Sequence, residues 1–360
     1  MLGLSAASGV VERDGEAEFP HAKEWDELAE RVDAPPFLRP GWTAAWAEAF
    51  GVNDLQVVSV HRDRELAAIM PIDTRRSGSR SPVNWHTPLF GPVAIDTRAR
   101  DELLLQLFDR PCSSVELQLV DGSPDSVEPI VEAARERQRL VLSRSVARAP
   151  FIELDGSFED YERGLSRNRR KGLRRHRRKL EERGPVSLTV HDGSERLDGL
   201  LQQAFRIEAS GWKGEGGTAI SSRADTLRFY TDIARWASDE GWLRLAFLSV
   251  GDRPIACDYA LEHDGSWYSL KAGYEDGYRL YGPGALLLQD EIAYLYERGL
   301  KRMELLGTED DFKLSWTDRS ADRFWVRAFR RTPAGLAAWA SFAARERARP
   351  LVRRAKAALR

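Results

Sequence analysis

The stretch at 267–316, WYSLKAGYEDGYRLYGPGALLLQDEIAYLYERGLKRMELLGTEDDFKLSW, decides the fold of this 360-residue chain. The aromatic and small residues at 266–274, SWYSLKAGY, partly alternate, which predicts a strand buried on both faces. A helix is predicted at 285–299 and a short strand at 302–306. The apolar face of that helix consists of Ala285, Leu288, Ile292 and Leu295.

The loop before this helix carries the sequence Tyr281-Gly282-Pro283-Gly284. Glycine permits a close backbone approach that a side chain would block, and proline stiffens the turn. The first helical amides, at 285–287, are expected to have no acceptor within the helix and to carry the positive end of its dipole. Such a helix start binds phosphate. The alternative is a turn that only leads the chain into the helix, since short glycine motifs are common.

These motifs, in this order, resemble acyltransferases of the GNAT fold. The branch they are most similar to is that of the CelD-like acetyltransferases, which are relatives of the Fem-type peptidoglycan aminoacyltransferases. The Pro-Gly helix start with its leucines is followed by a short strand, then Gly307, the Phe312-Lys313 pair and Trp316. The resemblance extends over about 151–331. It implies a mixed α/β fold of two tandem GNAT-like domains, each a mostly antiparallel sheet flanked by helices.

The resemblance also implies an acyl donor, acetyl-CoA or another acyl-CoA, and no metal. The coenzyme diphosphate is expected at the Gly-Pro-Gly corner, and the thioester along the preceding strand. Backbone amides there are expected to stabilise the developing oxyanion. The residues assigned to coenzyme binding are Ala272, Gly273, Tyr274, Gly282, Gly284, Ala285, Leu286 and Leu287.

Direct attack by an amine requires a base and an acid. Asp258, a carboxylate within an apolar strand, is the first candidate base, and Glu275 is the second. An ion pair between Asp258 and an arginine is the alternative. Many GNAT enzymes use as general acid a tyrosine that follows the strand after this helix, which is here the strand predicted at 302–306. No tyrosine occurs at 307–319.

Tyr281 and Lys313 are the candidates for the missing acid. Lys313 matches a lysine that contacts the donor in Fem-type relatives, so it is the first choice. Its alternative role is an ion pair with Asp310 or Glu309.

Three residues are assigned to the acceptor. Trp212 and Lys213 match a Trp-Lys pair of the CelD-like family, in a glycine-rich loop expected to move over a cleft. Their alternative roles are a core tryptophan and a solvated lysine. Trp316 is assigned to the acceptor wall, with burial in the core as the alternative.

A basic segment at 161–183 is predicted to form one long helix, opened by a capping box between Ser157 and Asp160. Like charges four residues apart destabilise a helix, so an anionic partner is expected. The candidates are acidic residues of the other domain, coenzyme phosphates, a nucleotide-linked substrate, tRNA and an anionic membrane surface. The absence of interleaved aromatic residues argues against RNA.

The length favours two domains. We expect a mobile tail at 1–20, an N-terminal GNAT-like half without a coenzyme site at 21–149, the coenzyme-binding domain at 150–332, and a basic helix, interrupted at Pro350, at 333–360. The net charge of -2 gives no general attraction to nucleic acid. Two distant cysteines and six scattered histidines indicate neither a disulfide nor a metal site.

No segment has the composition of a signal peptide or a membrane span, so a cytoplasmic protein is expected. The predicted function is transfer of an acyl group, acetyl first, from acyl-CoA to an amine on a small molecule, a sugar or a cell-envelope precursor. Aminoacyl transfer from tRNA is one alternative. A non-catalytic binding protein is another, and peripheral contact with a membrane stays open.

Overall fold

The computed structural model describes residues 11–13, 16–18, 21–52, 55–75, 78–210, 217 and 219–358. The chain folds into two compact units. Unit 1 comprises Met1–Thr43, Val52–Val146 and Asp322–Arg360. Unit 2 comprises Ala44–Gly51 and Ala147–Ala321. Trp212 and Lys213 lie outside the described residues.

Strands and helices alternate through both units. In chain order the strands are β1 Val11–Arg13, β2 Glu16–Glu18, β3 Leu55–Arg62, β4 Glu65–Arg75, β5 Gly78–Arg80, β6 Val93–Ala94, β7 Ser114–Asp121, β8 Leu140–Glu153, β9 Val186–His191, β10 Leu243–Val250, β11 Arg253–His263, β12 Ser266–Tyr274, β13 Arg302–Glu304 and β14 Ser320–Phe329. The helices are α1 Ala22–Arg31, α2 Pro40–Phe50, α3 Thr97–Asp109, α4 Pro124–Glu136, α5 Phe158–Gly164, α6 Arg167–Glu181, α7 Leu197–Glu208, α8 Ala224–Asp239, α9 Pro283–Glu297, α10 Asp311–Leu314 and α11 Pro333–Ala358. None of these helices has the length and apolar content to cross a membrane.

Unit 1 contains a mixed sheet in which β3, β4, β5, β7 and β14 are neighbours in that order. Its pairs are antiparallel except for the parallel pair of β5 and β7. The apolar faces of α3 and α4 contribute Leu103, Leu104, Leu107 and Ile130 to a core shared with Met70 and other sheet residues. A second cluster joins Trp25 and Leu28 of α1 to Ile69 of β4.

Unit 2 contains a second mixed sheet, with the order β8-β13-β12-β11-β10-β9. Strands β9 to β12 are antiparallel, as the short turns at 251–252 and 264–265 predict. Strand β13 is parallel to β12 and antiparallel to β8. The predicted α/β class, with mostly antiparallel sheets flanked by helices, is confirmed.

The two faces of the sheet in unit 2 pack against different helices. On one face, Cys257 donates to the Ala204 carbonyl of α7, and Tyr259 donates to the Tyr230 carbonyl of α8. On the other face, Trp267 is fully buried and its ring contacts Tyr294 of α9. Because successive side chains of a strand point to opposite faces, each residue of β11 and β12 can be assigned to one of these helix layers.

The prediction of one long helix at 161–183 is wrong, because the segment forms α5 and α6. Leu165 between them is extended, and the Ser166 hydroxyl accepts a hydrogen bond from the Arg169 amide and so caps a new helix. The Ser157 cap is confirmed, since its hydroxyl accepts the Asp160 amide. Pro350 does not end α11, which continues to Ala358.

Candidate functional site

An open strand edge lies at the centre of unit 2. Strand β12 pairs with β11 along its whole length, but with β13 only through 266–268. Among the described residues, no strand pairs with that second edge at 269–274, and Ala272 is exposed there. A strand edge without a partner strand is a place where a ligand can bind as an added strand.

The Gly-Pro-Gly corner follows this open edge directly. A short 3-10 turn, Asp276–Tyr281, leads to Gly282, whose positive φ of 60° is the left-handed conformation that glycine adopts without strain. Helix α9 begins at Pro283, two residues earlier than predicted. The N-terminus of this helix carries the positive end of its dipole.

The corner offers fewer free amides than the sequence predicts. The amides of Ala285 and Leu286 both donate to the Gly282 carbonyl, at 3.0 and 3.1 Å, so the prediction that they have no acceptor is wrong. Gly282 directly precedes the helix, and its carbonyl is the first hydrogen-bond acceptor of the helix. Leu286 and Leu287 also have buried side chains. Within the described part of the chain, the Gly284 amide has no acceptor.

Aromatic rings pack on both glycines of the corner. A β-carbon at Gly282 would lie 3.2 Å from the ring of His176 in α6, and one at Gly284 would lie 3.3 Å from the ring of Tyr274. The buried Nδ1 atom of His176 has no hydrogen-bond partner among the described residues. Burial, and then the charges of Arg175 and Lys179, lower the pKa of His176. A neutral imidazole therefore sits against the corner where an anion is expected.

Asp258 lies on the α9 face of the sheet and is 1% exposed. Its carboxylate accepts hydrogen bonds from the Trp267 indole at 3.3 Å and from the Ser269 hydroxyl at 2.9 Å. Glu291 of α9 is buried near it, and burial, followed by the charges of Asp258 and Asp290, holds the pKa of Glu291 well above its usual value. Asp258 thus belongs to a buried polar cluster with Trp267, Ser269 and Glu291.

A second buried carboxylate, Glu208, lies on the opposite face. A β-carbon at Gly273 would be 2.5 Å from the Glu208 Cα, so the end of α7 touches the open part of β12. The Glu208 carboxylate accepts the Ile220 amide at 2.9 Å and is 2% exposed. Burial, and then Glu208, raise the pKa of Tyr230, and the Lys271 ammonium lies 5.6 Å from the Tyr230 ring centre.

This group of Glu208, Tyr230 and Lys271 was not predicted from the sequence. One signal was present: Glu208 follows Leu201, Ala204 and Phe205 at the spacing of a single helix face. A carboxylate on the apolar face of a helix is as unusual as Asp258 within an apolar strand.

Lys313 belongs to the segment that follows β13, and Tyr281 to the turn that follows β12. The Lys313 ammonium donates to the carbonyls of Leu306 at 2.7 Å and Thr308 at 3.2 Å, and lies 3.9 Å from Asp310. It therefore holds together the loop that follows β13. Tyr281 ends the 3-10 turn, with the Arg183 guanidinium 5.9 Å from its ring centre.

Trp316 is buried beside the first turn of α6. It is 3% exposed, and its carbonyl accepts the Tyr161 hydroxyl at 2.9 Å. The Arg169 guanidinium lies 4.1 Å from the Trp316 ring centre and 5.4 Å from that of Phe312. Trp316 thus belongs to the hydrophobic core of unit 2 and anchors the basic helix α6, and its assignment to the acceptor wall stays a prediction.

Several basic side chains lie on α6 and beside the 3-10 turn, the two elements next to the Gly-Pro-Gly corner. Arg177 of α6 pairs with Asp290, whereas none of the other residues that the structure describes forms an ion pair with Arg174, Arg175, Arg178 or Lys179. A pocket of about 440 Å³ opens beside the 3-10 turn and is lined by Arg183, Arg206 and Arg253. Glu275 lies 3.3 Å from Arg206 and 2.6 Å from Arg253, which leaves this region with net positive charge.

Comparison with known proteins agrees with this geometry. Residues 167–314 match the model of the family described as "Acetyltransferase (GNAT) domain". No curated protein matches the sequence.

Three solved structures share the fold. FemX has a TM-score of 0.57 at 11% identity, over 86% of this chain and 96% of its own. The C-terminal domain of a putative lysylphosphatidylglycerol synthetase from Agrobacterium fabrum has a TM-score of 0.55 at 11% identity, over 89% and 95%. The L-PGS from Bacillus licheniformis has a TM-score of 0.55 at 10% identity, over 90% and 95%. Such identities show the fold alone. The resemblance to GNAT acyltransferases and their Fem-type relatives is confirmed: residues 167–314 match a GNAT acetyltransferase domain, and the chain shares its fold with FemX.

Proposed function

We propose that this chain transfers an acyl group, acetyl first, from acyl-CoA to an amine. The observation that carries the proposal is the open edge of β12 with a glycine-rich helix start directly after it. The pantetheine arm of the coenzyme carries amides that can pair with such an edge as a strand would. In this arrangement the thioester carbonyl meets backbone amides near Ala272, Gly273 and Tyr274, which would stabilise the oxyanion by several kcal/mol.

The coenzyme diphosphate would bind at the corner. The donors there are the Gly284 amide and, once protonated, the His176 ring, with the cations of α6 close by. The rings of His176 and Tyr274, which pack on Gly282 and Gly284, would border the phosphates, and Ala285, Leu286 and Leu287 would form the first turn behind them. The arginine-lined pocket supplies further positive charge for a phosphate beyond the diphosphate.

The amine would approach from the α7 face, opposite Asp258. We assign deprotonation of the ammonium to Glu208, because its backbone touches Gly273 and its carboxylate is buried on this face. Lys271 and Tyr230 complete this side of the site. Trp212 and Lys213 are proposed to contact the acceptor.

Two of the earlier candidates take supporting roles in this scheme. Asp258 orders β12 through Ser269 and Trp267. Lys313 fixes the loop after β13, and so sets the width of the opening between β12 and β13. Tyr281, at the corner, remains the proposed acid for the departing thiolate.

The acceptor is proposed to be an amine on a sugar-linked or cell-envelope precursor, handled in the cytoplasm. The shared fold with FemX and with lysylphosphatidylglycerol synthetases supports a substrate of this class. The direct test is release of free coenzyme thiol from acetyl-CoA in the presence of an amine panel that includes amino sugars and peptidoglycan stem peptides. Amine-dependent thiol release that falls in Glu208→Gln supports the proposal. Release that is absent for every amine, with no binding of acetyl-CoA, contradicts it.

Aminoacyl transfer from tRNA is the second candidate, and the ion-pair-free cations of α6 favour it. Its test is tRNA binding at increasing salt, because neutralised phosphates give a steep salt dependence. Changing Arg174, Arg175 and Arg178 to glutamine should abolish that binding if tRNA is the donor. If the chain binds acetyl-CoA but no tRNA, the cations of α6 are assigned to the coenzyme. If it binds neither ligand, the non-catalytic binding protein is the remaining alternative.

A further inference from the structure

Two histidines and a glutamate meet on the surface of unit 1, whereas the proposed acyl-transfer site belongs to unit 2. His21 and Glu24 belong to the start of α1, and His61 lies near the end of β3. One ligand atom from each lies within 4.8 Å of the other two. The His21 Nδ1 atom is 2.5 Å from the Glu24 carboxylate, and the two imidazole ring centres are 5.4 Å apart. We propose that these three side chains bind a transition-metal cation, with Zn²⁺ as the first choice.

The geometry requires little change to accept the ion. Bonds of about 2.0–2.2 Å from zinc to nitrogen or oxygen place tetrahedral ligand atoms roughly 3.3 Å apart. The present separations can reach that value by rotation of side chains, which are partly exposed and free to turn. The proton between His21 and Glu24 would be lost, and the metal would take its place between the two atoms.

The main chain that carries the ligands is already held in position. Trp25 and Leu28 of α1 are fully buried against β4, and the His61 backbone is in register with Leu66 across the β3-β4 pair. The ion therefore needs to order only three side chains. Rigid elements beneath flexible ligands are the arrangement that a surface metal site requires.

Basic side chains on the elements that carry the cluster have acidic partners of their own. Arg62, next to His61, is paired with Asp96 at 2.9 Å, and Arg31 is paired with Glu65 at 3.3 Å. These arginines are neutralised by their own partners, so the Glu24 carboxylate remains available to the metal. Two imidazoles and one carboxylate select Zn²⁺, Ni²⁺ or Cu²⁺ over Mg²⁺ and Ca²⁺, which take oxygen ligands. The fourth position of a tetrahedral site would hold water.

A metal here would join the start of α1 to β3, which lies about 30 residues further along the chain. The ion would stabilise unit 1 because it binds the folded state. The stabilisation would increase with metal concentration. This inference is independent of the proposed acyl transfer. The alternative is that His21 and Glu24 form an ordinary hydrogen bond at a helix start, with His61 beside them by chance.

Calorimetric titration of the tag-free, EDTA-treated full chain with ZnCl₂ separates the two. We expect one equivalent of Zn²⁺ to bind and to raise the melting temperature, with no response to MgCl₂. His61→Ala and Glu24→Gln should each weaken binding roughly tenfold or more. His191→Ala, at an exposed histidine of unit 2, is the matched control and should change nothing. The three variants are at exposed positions, and circular dichroism checks their folding. Wild-type protein that binds no Zn²⁺, or that binds it no more strongly than His61→Ala does, overturns the proposal.

Discussion

The Cα atom of Glu208 lies where a side chain at Gly273 would have to be, since a β-carbon there would be only 2.5 Å away. The end of α7 thus rests on the open part of β12 with no side chain between them. This contact brings a buried carboxylate to the strand on which we place the thioester, and it makes Gly273 a residue that no other type can replace without movement of α7.

Gly273→Ala should therefore lower both stability and turnover. The clash is with backbone, which cannot rotate away, and overpacking of this kind costs about 1–3 kcal/mol. Thermal unfolding and steady-state rates measure the two effects. Gly199→Ala is the control, because a β-carbon there meets nothing within 4 Å. A Gly273→Ala protein with wild-type stability would show that the contact is not tight.

Glu208→Gln should lower kcat roughly 100- to 10,000-fold, the range for loss of a general base. Acetyl-CoA affinity should be unchanged, because the carboxylate lies on the acceptor face. Asp258→Asn is the comparison, and it should reduce thermal stability more than it reduces the rate per folded molecule. If Asp258→Asn lowers kcat more than Glu208→Gln does, Asp258 is the general base instead.

Glu291 makes stability depend on pH. The pKa of Glu291 is raised in the folded protein. Above the ordinary glutamate pKa of 4.5, the unfolded chain releases a proton that the folded state still holds. Stability should fall as the pH rises from that value, by up to about 1.4 kcal/mol per pH unit. Glu291→Gln, which stays neutral, should flatten this dependence in urea denaturation between roughly pH 5 and pH 8. Parallel curves for the two proteins would contradict the assignment.

His176 should couple coenzyme binding to a proton. Its pKa is lowered in the free protein, and a diphosphate at the corner would raise it, so binding takes up a proton and tightens as the pH falls through the neutral range. Calorimetry in buffers of different ionisation enthalpy measures this uptake. His176→Gln should remove it. Proton uptake that persists in the variant would place the titrating group elsewhere.

The lowered pKa of His176 also affects the stability of the fold, with a pH dependence opposite to that of coenzyme binding. Because the unfolded chain binds the proton more readily, stability should be complete above the ordinary histidine range and fall as the pH drops through it. His176→Gln should lose less stability than the wild type between roughly pH 7 and pH 5.

Local pattern sufficed to predict most elements of unit 2. The strand at 266–274 and the meander before it are as predicted, because alternation and short turns determine them. The break between α5 and α6 was missed because the charged segment contains no proline and was treated as continuous. The local signals are Gly164, the last residue of α5, and Ser166, which caps the start of α6.

The site was predictable in part, for a physical reason. Gly-Pro-Gly is a contiguous motif, so its place at a helix start follows from the sequence. The meeting of Glu208 with Gly273, and of His176 with Gly282, joins residues far apart in the chain and depends on how helices pack on the sheet. The same is true of His21 and His61, which looked scattered in the sequence.

Binding of the coenzyme diphosphate at the corner is the central claim, and the affinity of Gly284→Val for acetyl-CoA tests it most directly. A β-carbon there would approach the Tyr274 ring at 3.3 Å, so a valine must displace that ring and would distort the corner at which we place the diphosphate. Gly199→Val, with open space around it, is the control. By calorimetry we expect saturable binding of acetyl-CoA to the wild type and the control, and binding about tenfold or more weaker in Gly284→Val, a loss of at least roughly 1.4 kcal/mol. Equal affinity in all three proteins, or none in the wild type, would contradict the claim.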